Sequence, residues 1–551
     1  MTVEQEGNGT CSPKPHVDGA AESKEKRSTM HQGTGWKLGA IVMALIVGTG
    51  AWATDYTDTT ATYDLYSLSD QTDTWTRCVL TVTKLYVASN VNSVAELRLV
   101  STTNNVITAG YVGYGGPGTL RAENSRLGFP GPQPAYWGSL YVGYHTNNGV
   151  FYMTDSTGVC AGAAGAVLML GRGNGGTSAT TVDNVGTMCL LRSVIEKGPG
   201  ASLSICLGAS SGEGRLFATN SQITASSISQ KYNGVYDGQV RNGYALFDNS
   251  TVTLGSCVLG GQPSWGPCRG DMLLTNNSVM TISGGFIVGY AGGSKYTNTV
   301  EISGSQLTVG GNVKVGDNGF RGLGRLTLKD GTTAQCLSNL ILGEDYSGGY
   351  SKGFLDVLSG SRLDVTNAAG NAALVVGQAG YGLLTVTGAS TCRVDQLVLT
   401  NGANSVLAFS NGMLSVKSGI ISNGLTTVIG DGANSATLDL WGRQPFNVTS
   451  NLVFTNGATL MVEVGGATTN DCNFLDVHGT LTFYPGTTLA LSLTNDYTPL
   501  PGSYTTVAIA DTLSTKPSIL PQGYKAYIVD EGSCKALKIF WIPTGTIFTV
   551  Y

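Results

Sequence analysis

The residues best suited to acid–base or metal chemistry are scarce in this chain and far apart. There are four histidines. His16 and His31 lie near the N-terminus, so only His145 and His478 remain in the rest of the chain. A histidine-ligated metal site or a histidine-based catalytic array would have to be built from these two alone. The sequence therefore predicts no catalytic residues, no metal site and no cofactor.

Carboxylates are the next candidates, because a polysaccharide hydrolase or lyase needs clustered acids with basic partners. Asp356, Asp364 and Asp395 occur singly beside Ser and Thr, on outward positions of alternating segments. Arg362 and Arg393 are near enough in sequence to form surface pairs with them. Surface pairs of this kind contribute little to stability. We interpret these acids as part of a solvated face.

Tyrosines recur with a spacing that would bring their rings together. Tyr111 and Tyr114 in the sequence YVGY recur thirty residues later as Tyr141 and Tyr144, and Tyr290 also follows Val-Gly. If one repeat is one coil of a stack, these rings lie about 4.8 Å apart. An exposed row would suit sugar rings, because it offers apolar faces and hydroxyl groups. A structural ladder of cross-strand pairs accounts for the same spacing, and it is the interpretation we favour.

The cysteines are predicted to be core residues more than disulfide partners. Cys336 and Cys392 occupy positions that hold Leu or Val in neighbouring units, which indicates buried, unpaired thiols. Cys257 and Cys268 flank a loop rich in Pro, Gly and Trp, and they are the pair most open to a disulfide.

Composition limits the class of protein. Glycine accounts for 78 of 551 residues, charged residues for 12% and apolar residues for 41%, which is enough apolar content to line a core and too little charge for a typical disordered chain. The net charge is −5, and no basic stripe is present that could follow a phosphate backbone. Nucleic acid is therefore not an expected partner.

The N-terminal segment has the three parts of a secretory signal peptide. Lys37 precedes a short apolar run at residues 38–47, and Ala51-Trp52-Ala53 forms an Ala-x-Ala cleavage site. We expect cleavage after Ala53, with an uncleaved anchor as the alternative, and translation starting at Met30 would explain the unusual polar residues before it. The mature chain is then exported to the cell surface or medium, with no integral membrane domain.

One phrase recurs along the chain: two or three apolar residues followed by glycine. The shortest spacings between these glycines are 27 and 28 residues, which indicates a repeat architecture. The phrase ends at Gly113, Gly143, Gly171, Gly208, Gly255, Gly289, Gly316, Gly343 and Gly377.

Each regular unit also contains two alternating segments before the glycine phrase, as in residues 324–343 and 382–399. The alternation predicts three short strands per unit, separated by turns of Gly, Asn and Ser. The links are too short for helical crossovers, so hairpins or the coils of a β-helix remain. The number of residues per unit varies mainly after the glycine phrase. Insertions at one place in each unit indicate loops on one side of a stack, which favours the coils of a β-helix. We predict an all-β, right-handed parallel β-helix of about 12 to 14 coils, each rising about 4.8 Å.

The domain boundaries follow from these patterns. Residues 1–53 form the leader, and residues 54–449 form the repeat region, irregular to about residue 285 and regular after it. Residues 450–551 carry longer alternating runs and a Pro-Leu-Pro-Gly break, which we interpret as a β-rich C-terminal cap that protects the end of the stack from edge pairing.

The pattern hVG…GxLxVxxGxxLxV in residues 286–416 resembles the repeats of bacterial autotransporter-type passenger proteins, the autotransporter-associated β-strand repeats. The segment TLMVEVGGATTNDCNFLDVHGTLTFYPGTTLALSL is similar to their terminal module. The resemblance implies a β-helix at a bacterial cell surface. It informs on fold more than on activity, because these motifs are low in complexity. The chain departs from the passengers because no membrane barrel is expected after the cap.

Two functions remain after this reading. The first is a secreted or surface-attached structural or adhesive protein, an adhesin without catalysis, whose expected partners are glycans. The alternative is a β-helix polysaccharide lyase or glycoside hydrolase, whose dispersed acids converge in space. A groove of clustered Asp, Glu, Lys and Arg would favour the alternative, and a surface of Ser, Thr and Gly would favour the first.

Overall fold

The computed structural model describes residues 53–129, 139–160, 165–173, 184–209, 211–230, 241–261, 268–290, 297–317, 322–345, 351–466, 472–494, 497–520 and 522–542. They form 45 β-strands. A 3₁₀ turn at Gly402–Asn404 is the only helical segment among them, and none of these residues belongs to a helix long and apolar enough to cross a bilayer.

The strands up to residue 230 are β1 (Ala53–Thr57), β2 (Thr60–Leu68), β3 (Thr72–Thr76), β4 (Val79–Val87), β5 (Ala95–Val100), β6 (Thr103–Val112), β7 (Gly118–Glu123), β8 (Arg126–Phe129), β9 (Ser139–Tyr144), β10 (Gly149–Thr154), β11 (Thr157–Cys160), β12 (Ala166–Arg172), β13 (Asn184–Leu191), β14 (Val194–Lys197), β15 (Leu203–Ala209), β16 (Gly212–Thr219) and β17 (Gln222–Ser229).

The strands up to residue 400 are β18 (Arg241–Asp248), β19 (Thr251–Leu259), β20 (Cys268–Thr275), β21 (Val279–Ile282), β22 (Phe286–Tyr290), β23 (Asn298–Ser303), β24 (Gln306–Val309), β25 (Val313–Asp317), β26 (Leu323–Lys329), β27 (Thr333–Cys336), β28 (Leu340–Glu344), β29 (Lys352–Val357), β30 (Arg362–Val365), β31 (Ala373–Val376), β32 (Tyr381–Val386) and β33 (Ser390–Leu399).

The remaining strands are β34 (Ser405–Phe409), β35 (Gly412–Ile421), β36 (Thr427–Ile429), β37 (Ala436–Leu440), β38 (Pro445–Val448), β39 (Leu452–Phe454), β40 (Ala458–Val464), β41 (Phe474–Phe483), β42 (Thr488–Leu493), β43 (Tyr504–Leu513), β44 (Tyr524–Asp530) and β45 (Lys535–Trp541).

The strands pair in parallel as three sheets, so each turn of the chain contributes one strand to each sheet. The first sheet runs β1, β3, β5, β7, β10, β13, β16, β18, β20, β23, β26, β29, β32, β34, β36, β39 and the end of β41. The second runs β2, β4, β6, β8, β11, β14, β17, β19, β21, β24, β27, β30, β33, β35, β37, β40 and β42. The third runs β2, β4, β6, β9, β12, β15, β17, β19, β22, β25, β28, β31, β33, β35, β38, β41 and β43. Some strands belong to two sheets because they are long and bend from one sheet into the other.

This pairing confirms the predicted all-β fold, a parallel β-helix. The second sheet has seventeen strands in the part of the chain that is described, more than the 12 to 14 coils expected. The difference has two sources: the units before residue 285 form complete coils even though their glycine phrase is irregular, and β40 and β42, which lie after residue 450, continue the stack.

The core lies inside the coils. Alternate side chains of each strand point inward, and each stacks on the equivalent side chain of the next coil. In the second sheet Val309, Cys336, Val365 and Val394 form one such file. Cys336 and Cys392 are free, buried thiols, and burial raises the pKa of Cys336 to about 12. The prediction that both cysteines replace aliphatic core residues is therefore confirmed.

Cys257 and Cys268, the pair most open to a disulfide by sequence, are not bridged, since Cys257 is a free thiol in the core. Cys257 is in register with Ile228 and Phe286 of the third sheet, whereas Cys268 is in register with Arg241 of the first sheet. Residues that flank one loop in sequence thus belong to different sheets.

The glycine phrase marks the corner after the third sheet. Eight of the nine predicted glycines have a φ between +65° and +80° there, a backbone conformation that glycine adopts most readily. Gly255 is the exception, because Leu254 before it pairs with Ala225 and Ile282 of the second sheet. The corner glycine of that coil is Gly260, with φ +102°, so the expectation for Gly255 was wrong.

A second corner, between the first and second sheets, carries a file of buried hydroxyl groups that we call the hydroxyl ladder. The backbone N–H of each member donates to the side-chain oxygen of the next, over distances of 3.0 to 3.2 Å. Each member follows a residue with positive φ, such as Asn249 before Ser250. The members are Thr102, Ser125, Ser156, Ser193, Ser221, Ser250, Ser278 and Ser305.

Parallel pairing continues well past residue 450, where the sequence patterns placed the start of the cap. β40 pairs in parallel with β42, and β41 pairs in parallel with β43. Antiparallel pairing between named strands is seen where β45 joins β43 and β44. The long alternating runs after residue 450 are therefore further coils, and the antiparallel closing sheet is confined to β43–β45.

Candidate functional site

Five tyrosines of three successive coils meet on the third sheet; we call them the tyrosine face. Tyr86, Tyr111 and Tyr141 lie in register on β4, β6 and β9. Their rings stack with centroids 4.9 Å apart at each step and interplanar angles of 14° and 5°. Tyr114 and Tyr144 stack beside them, 5.4 Å apart, and meet the first row edge to face.

The tyrosines differ in their exposure. Tyr141 is 2% exposed and Tyr114 is 37% exposed. Burial raises the pKa of Tyr111, and the neighbouring tyrosines raise it further. The inner row thus packs as a structural ladder, and the outer edge at Tyr114 is the part open to solvent.

Arg172 closes one end of the tyrosine face. Its guanidinium lies 5.4 Å from the centroid of Tyr144, and its Nη1 donates to the Tyr141 hydroxyl over 3.4 Å. In this next coil Met169 takes the position in register with Tyr141. The aromatic row therefore ends at β9.

The structure brings together four of the five predicted tyrosines. Tyr290 is the one that lies apart from the tyrosine face. It follows its corner glycine as Tyr144 does, but four strands of the third sheet separate the two coils: β12, β15, β17 and β19. The residue in register with Tyr290 is Asp317. Tyr86 was missed in the sequence because Ala88, with φ +60°, takes the corner that glycine takes elsewhere. The signal was available as the apolar triplet Leu85-Tyr86-Val87 without its glycine.

The two remaining histidines lie apart. His145 contacts the ring of Tyr144, with centroids 4.1 Å apart. His478 is exposed, with Nε2 3.7 Å from a carboxylate oxygen of Asp476. The structure does not assemble them into one site.

Beside Tyr290 the same corner carries buried charges. Asp317 and Glu344 are in register on β25 and β28, and both are buried. The ammonium of Lys314 pairs with Glu344 and lies 3.7 Å from Oδ1 of Asp317. Burial raises the pKa of Asp317, as does its hydrogen bond with Glu344, and Lys314 opposes the shift.

We expect this aspartate to make stability fall as pH rises. A carboxyl with a higher pKa in the folded state contributes stability that is complete below its ordinary pKa of 3.8 and is lost as pH rises through the folded value. The Asp317→Asn variant should therefore gain stability relative to the unmodified chain between about pH 4 and pH 8, by on the order of 1 kcal/mol. Denaturant unfolding across this range measures the difference, and a difference that shrinks with rising pH would contradict the prediction.

The acids expected on a solvated face are more deeply placed than predicted. Asp395 is 1% exposed and accepts the backbone N–H groups of Asn367 (2.9 Å) and Ala372 (3.2 Å), so it closes a turn. Asp356 is 7% exposed because Arg325 pairs with it at 2.8 Å. The prediction of solvated carboxylates was wrong for these two.

Asp364 forms the surface pair expected with Arg362, at 2.7 and 3.0 Å. Arg393, the other arginine expected on the surface, lies instead with its guanidinium 4.2 Å from the centroid of Trp441.

Arg393 and Trp441 line a cavity of about 250 Å³ on the outer surface of the second sheet. One file of outward side chains runs through Arg393, Ser415 and Asp439, which are in register on β33, β35 and β37. Two residues further along the coils lie Trp441 and Glu463. The lining combines small side chains, such as Ser415, with large ones, such as Arg393 and Trp441.

The carboxylates of this cavity are anchored. Asp439 accepts a hydrogen bond from Ser415 Oγ at 2.7 Å, and Glu463 accepts from the backbone N–H of Gly442 at 3.0 Å. Burial raises the pKa of Asp439; the Ser415 bond and Arg393 lower it, and Glu463 raises it. Sequence reasoning missed these residues, because each looks like an isolated outward position of its own coil.

No group of three or more His, Cys, Asp or Glu side chains with the geometry of a metal site occurs among the residues with a described placement. Of the predicted cleavage residues, Ala51 lies outside those ranges, and Ala53 is the first residue of β1.

The chain matches no known family model, and no curated protein is significantly similar to it.

Proposed function

We propose that this chain is an exported structural or adhesive β-helix that binds glycans at the cell surface without turning them over. The observation that carries the proposal is the tyrosine face, where stacked rings hold Tyr114 and Tyr144 at the edge of the third sheet. Stacking on the inner row restrains the outer rings, so little side-chain entropy is lost on binding. Their apolar faces and hydroxyl groups match the chemistry of sugar rings.

Binding to immobilised cell-surface glycans tests this proposal. The double variant Tyr114→Ala/Tyr144→Ala should lose affinity by tenfold or more, since each truncation removes both a ring face and a hydroxyl group. Tyr504→Ala/Tyr527→Ala is the matched control, because these two tyrosines are exposed and adjacent, with centroids 6.4 Å apart, but lie in the closing sheet. Equal affinity for both double variants and the unmodified chain would contradict the proposal.

Glycan cleavage is a second candidate, favoured by the cavity that contains Asp439 and Glu463. Two carboxylates on neighbouring coils are the minimum for acid–base cleavage of a glycosidic bond, and the raised pKa of Asp439 suits a general acid. Incubation with acidic and neutral polysaccharides, with and without calcium, separates the two candidates. Release of reducing or unsaturated ends that disappears in Asp439→Asn would replace the adhesive proposal with the enzymatic one.

A further inference from the structure

The outer face of the first sheet carries a row of apolar side chains across five coils; we call it the apolar row. Its members lie in register on β10, β13, β16, β18 and β20, at positions that alternate with the buried residues of each strand. All five are only half-buried. They are Tyr152, Cys189, Phe217, Leu246 and Leu273. Contiguous apolar side chains that stay open to solvent mark interaction sites, so the row points to a ligand.

A cavity of about 340 Å³ opens beside the apolar row at Phe217; we call it the first-sheet cavity. The ring of Tyr244, on the next coil, lies with its centroid 5.6 Å from that of Phe217, at an angle of 50°. Both rings line the cavity. Aromatic rings combine a large apolar surface with little conformational freedom, and the tyrosine adds a hydroxyl group. The cavity thus offers aromatic surface on which the C–H groups of a sugar ring can pack.

Two ion pairs flank Tyr244, one on each neighbouring coil. Arg215 pairs with Glu213 on β16, and Arg269 pairs with Asp271 at 2.8 Å on β20. All four side chains line the first-sheet cavity, and each guanidinium is neutralised by a carboxylate of the same lining. A charged ligand would have to compete with an ion pair for its partner. A neutral ligand can bond to both pairs and leave them intact.

The ion pairs leave hydrogen-bond donors that a ligand can reach. Each guanidinium uses its Nε for the carboxylate, and a guanidinium carries five N–H donors. Within the described ranges, four N–H groups thus remain on each arginine. The side chains are 45% exposed at Arg215 and 57% exposed at Arg269, so these donors are accessible from the cavity.

The carboxylates are held in place and can accept further hydrogen bonds. Glu213 accepts from Nδ2 of Asn242 at 3.3 Å, and Asp271 accepts from Oγ1 of Thr299 at 2.6 Å. A carboxylate has about four lone-pair positions, and the ion pair and this bond occupy two of them. Fixed donors and fixed acceptors therefore lie beside the aromatic rings. Sugar hydroxyl groups, which both donate and accept, match this arrangement.

We propose that the first-sheet cavity is a second glycan-binding site, which takes a neutral sugar over Tyr244 and between the two ion pairs. The sugar ring packs on Tyr244 and Phe217, and its hydroxyl groups accept from the arginines and donate to the carboxylates. The volume lies in the range of about 300–1,000 Å³ that small-ligand sites occupy. The ligand class rests on the proposed glycan-binding function, but the site lies on a different sheet from the tyrosine face and shares no residue with it.

Isothermal titration with neutral trisaccharides of glucose, mannose, galactose and N-acetylglucosamine tests this site. The mature chain carries Tyr114→Ala/Tyr144→Ala throughout, so that the tyrosine face does not contribute. Adding Tyr244→Ala should weaken binding tenfold or more, because it removes both a ring and a hydroxyl group. Adding Arg269→Met instead should weaken binding about tenfold, because it removes charged donors of the cavity.

Tyr381→Ala is the matched control and should leave the affinity unchanged. Tyr381 lies on the same sheet and meets Phe354 with nearly the same geometry, centroids 5.8 Å apart at 51°, outside the cavity. Thermal unfolding of each variant verifies that it is folded before affinities are compared.

Failure of every neutral trisaccharide to bind at millimolar concentration would overturn the second site, and so would binding that survives both Tyr244→Ala and Arg269→Met. Tighter binding of trigalacturonate than of any neutral sugar would overturn the neutral class. Neither outcome decides the proposed function, because the tyrosine face is tested separately on immobilised cell-surface glycans.

Discussion

Gly316→Ala should lower the free energy of unfolding by about 4 kcal/mol or more, a loss reserved for severe backbone or core disruption. A Cβ at this corner would lie 2.2 Å from the carbonyl oxygen of Lys352 and 2.4 Å from its carbonyl carbon. Both atoms belong to the backbone of the next coil, which cannot move without breaking the pairing of β26 with β29. The residue also has φ +71°, a conformation that disfavours any Cβ.

Gly331→Ala isolates the contribution of the coil contact. Gly331 has nearly the same conformation, φ +75°, but a Cβ there meets nothing within 4 Å. It should cost only the left-handed backbone energy, about 1–2 kcal/mol. Denaturant unfolding monitored by circular dichroism gives both values. Similar losses for the two variants would show that close approach between coils does not restrict the corner to glycine.

Ser250→Ala in the hydroxyl ladder has the second largest expected effect. Ser250 Oγ accepts the backbone N–H of Ser221 at 3.0 Å and lies 2.9 Å from the carbonyl oxygen of Asp248, to which it can donate. Alanine leaves the buried N–H of Ser221 without an acceptor, so we expect a loss of about 1–3 kcal/mol. Amide hydrogen exchange should accelerate at Ser221 in particular.

Ser303→Ala provides the comparison, because its hydroxyl bonds to Asp330 at the surface. Exposed substitutions of this kind change stability by about 0.5 kcal/mol or less. If Ser250→Ala were as mild as Ser303→Ala, with unchanged exchange at Ser221, the ladder would have no stabilising role.

The fold was largely predictable because its signals are local. Alternation of apolar and polar residues indicates which side chains point inward, whatever the strand pairs with. Cys336 and Cys392 could be assigned to the core on this basis. The glycine phrase located eight corners correctly, since close approach of the next coil excludes a side chain wherever the corner occurs.

The predictions failed where another residue takes the role of the motif. Ala88 replaces the corner glycine of one coil. In another coil the buried Gln230 follows β17, and its Oε1 accepts the N–H of Gly260 at 2.7 Å. These coils were invisible to a search for the phrase. In the coil of β19 the search took Gly255 for the corner, which Gly260 occupies. The number of coils was underestimated because of these hidden corners and because the coils after residue 450 were assigned to the cap.

The sequence by itself determined the parallel stack, its inward residues and most of its glycine corners. The tertiary structure decided which outward residues are neighbours. Coil length changes from 23 residues between Thr102 and Ser125 to 37 between Ser156 and Ser193, so no constant period aligns the outer side chains. Arg393, Asp439 and Glu463 meet only because the register of β33, β35, β37 and β40 places them in adjacent files. Local alternation of apolar and polar residues determines which side chains point inward. Which outward side chains become neighbours depends instead on the number of residues in the loops of each coil.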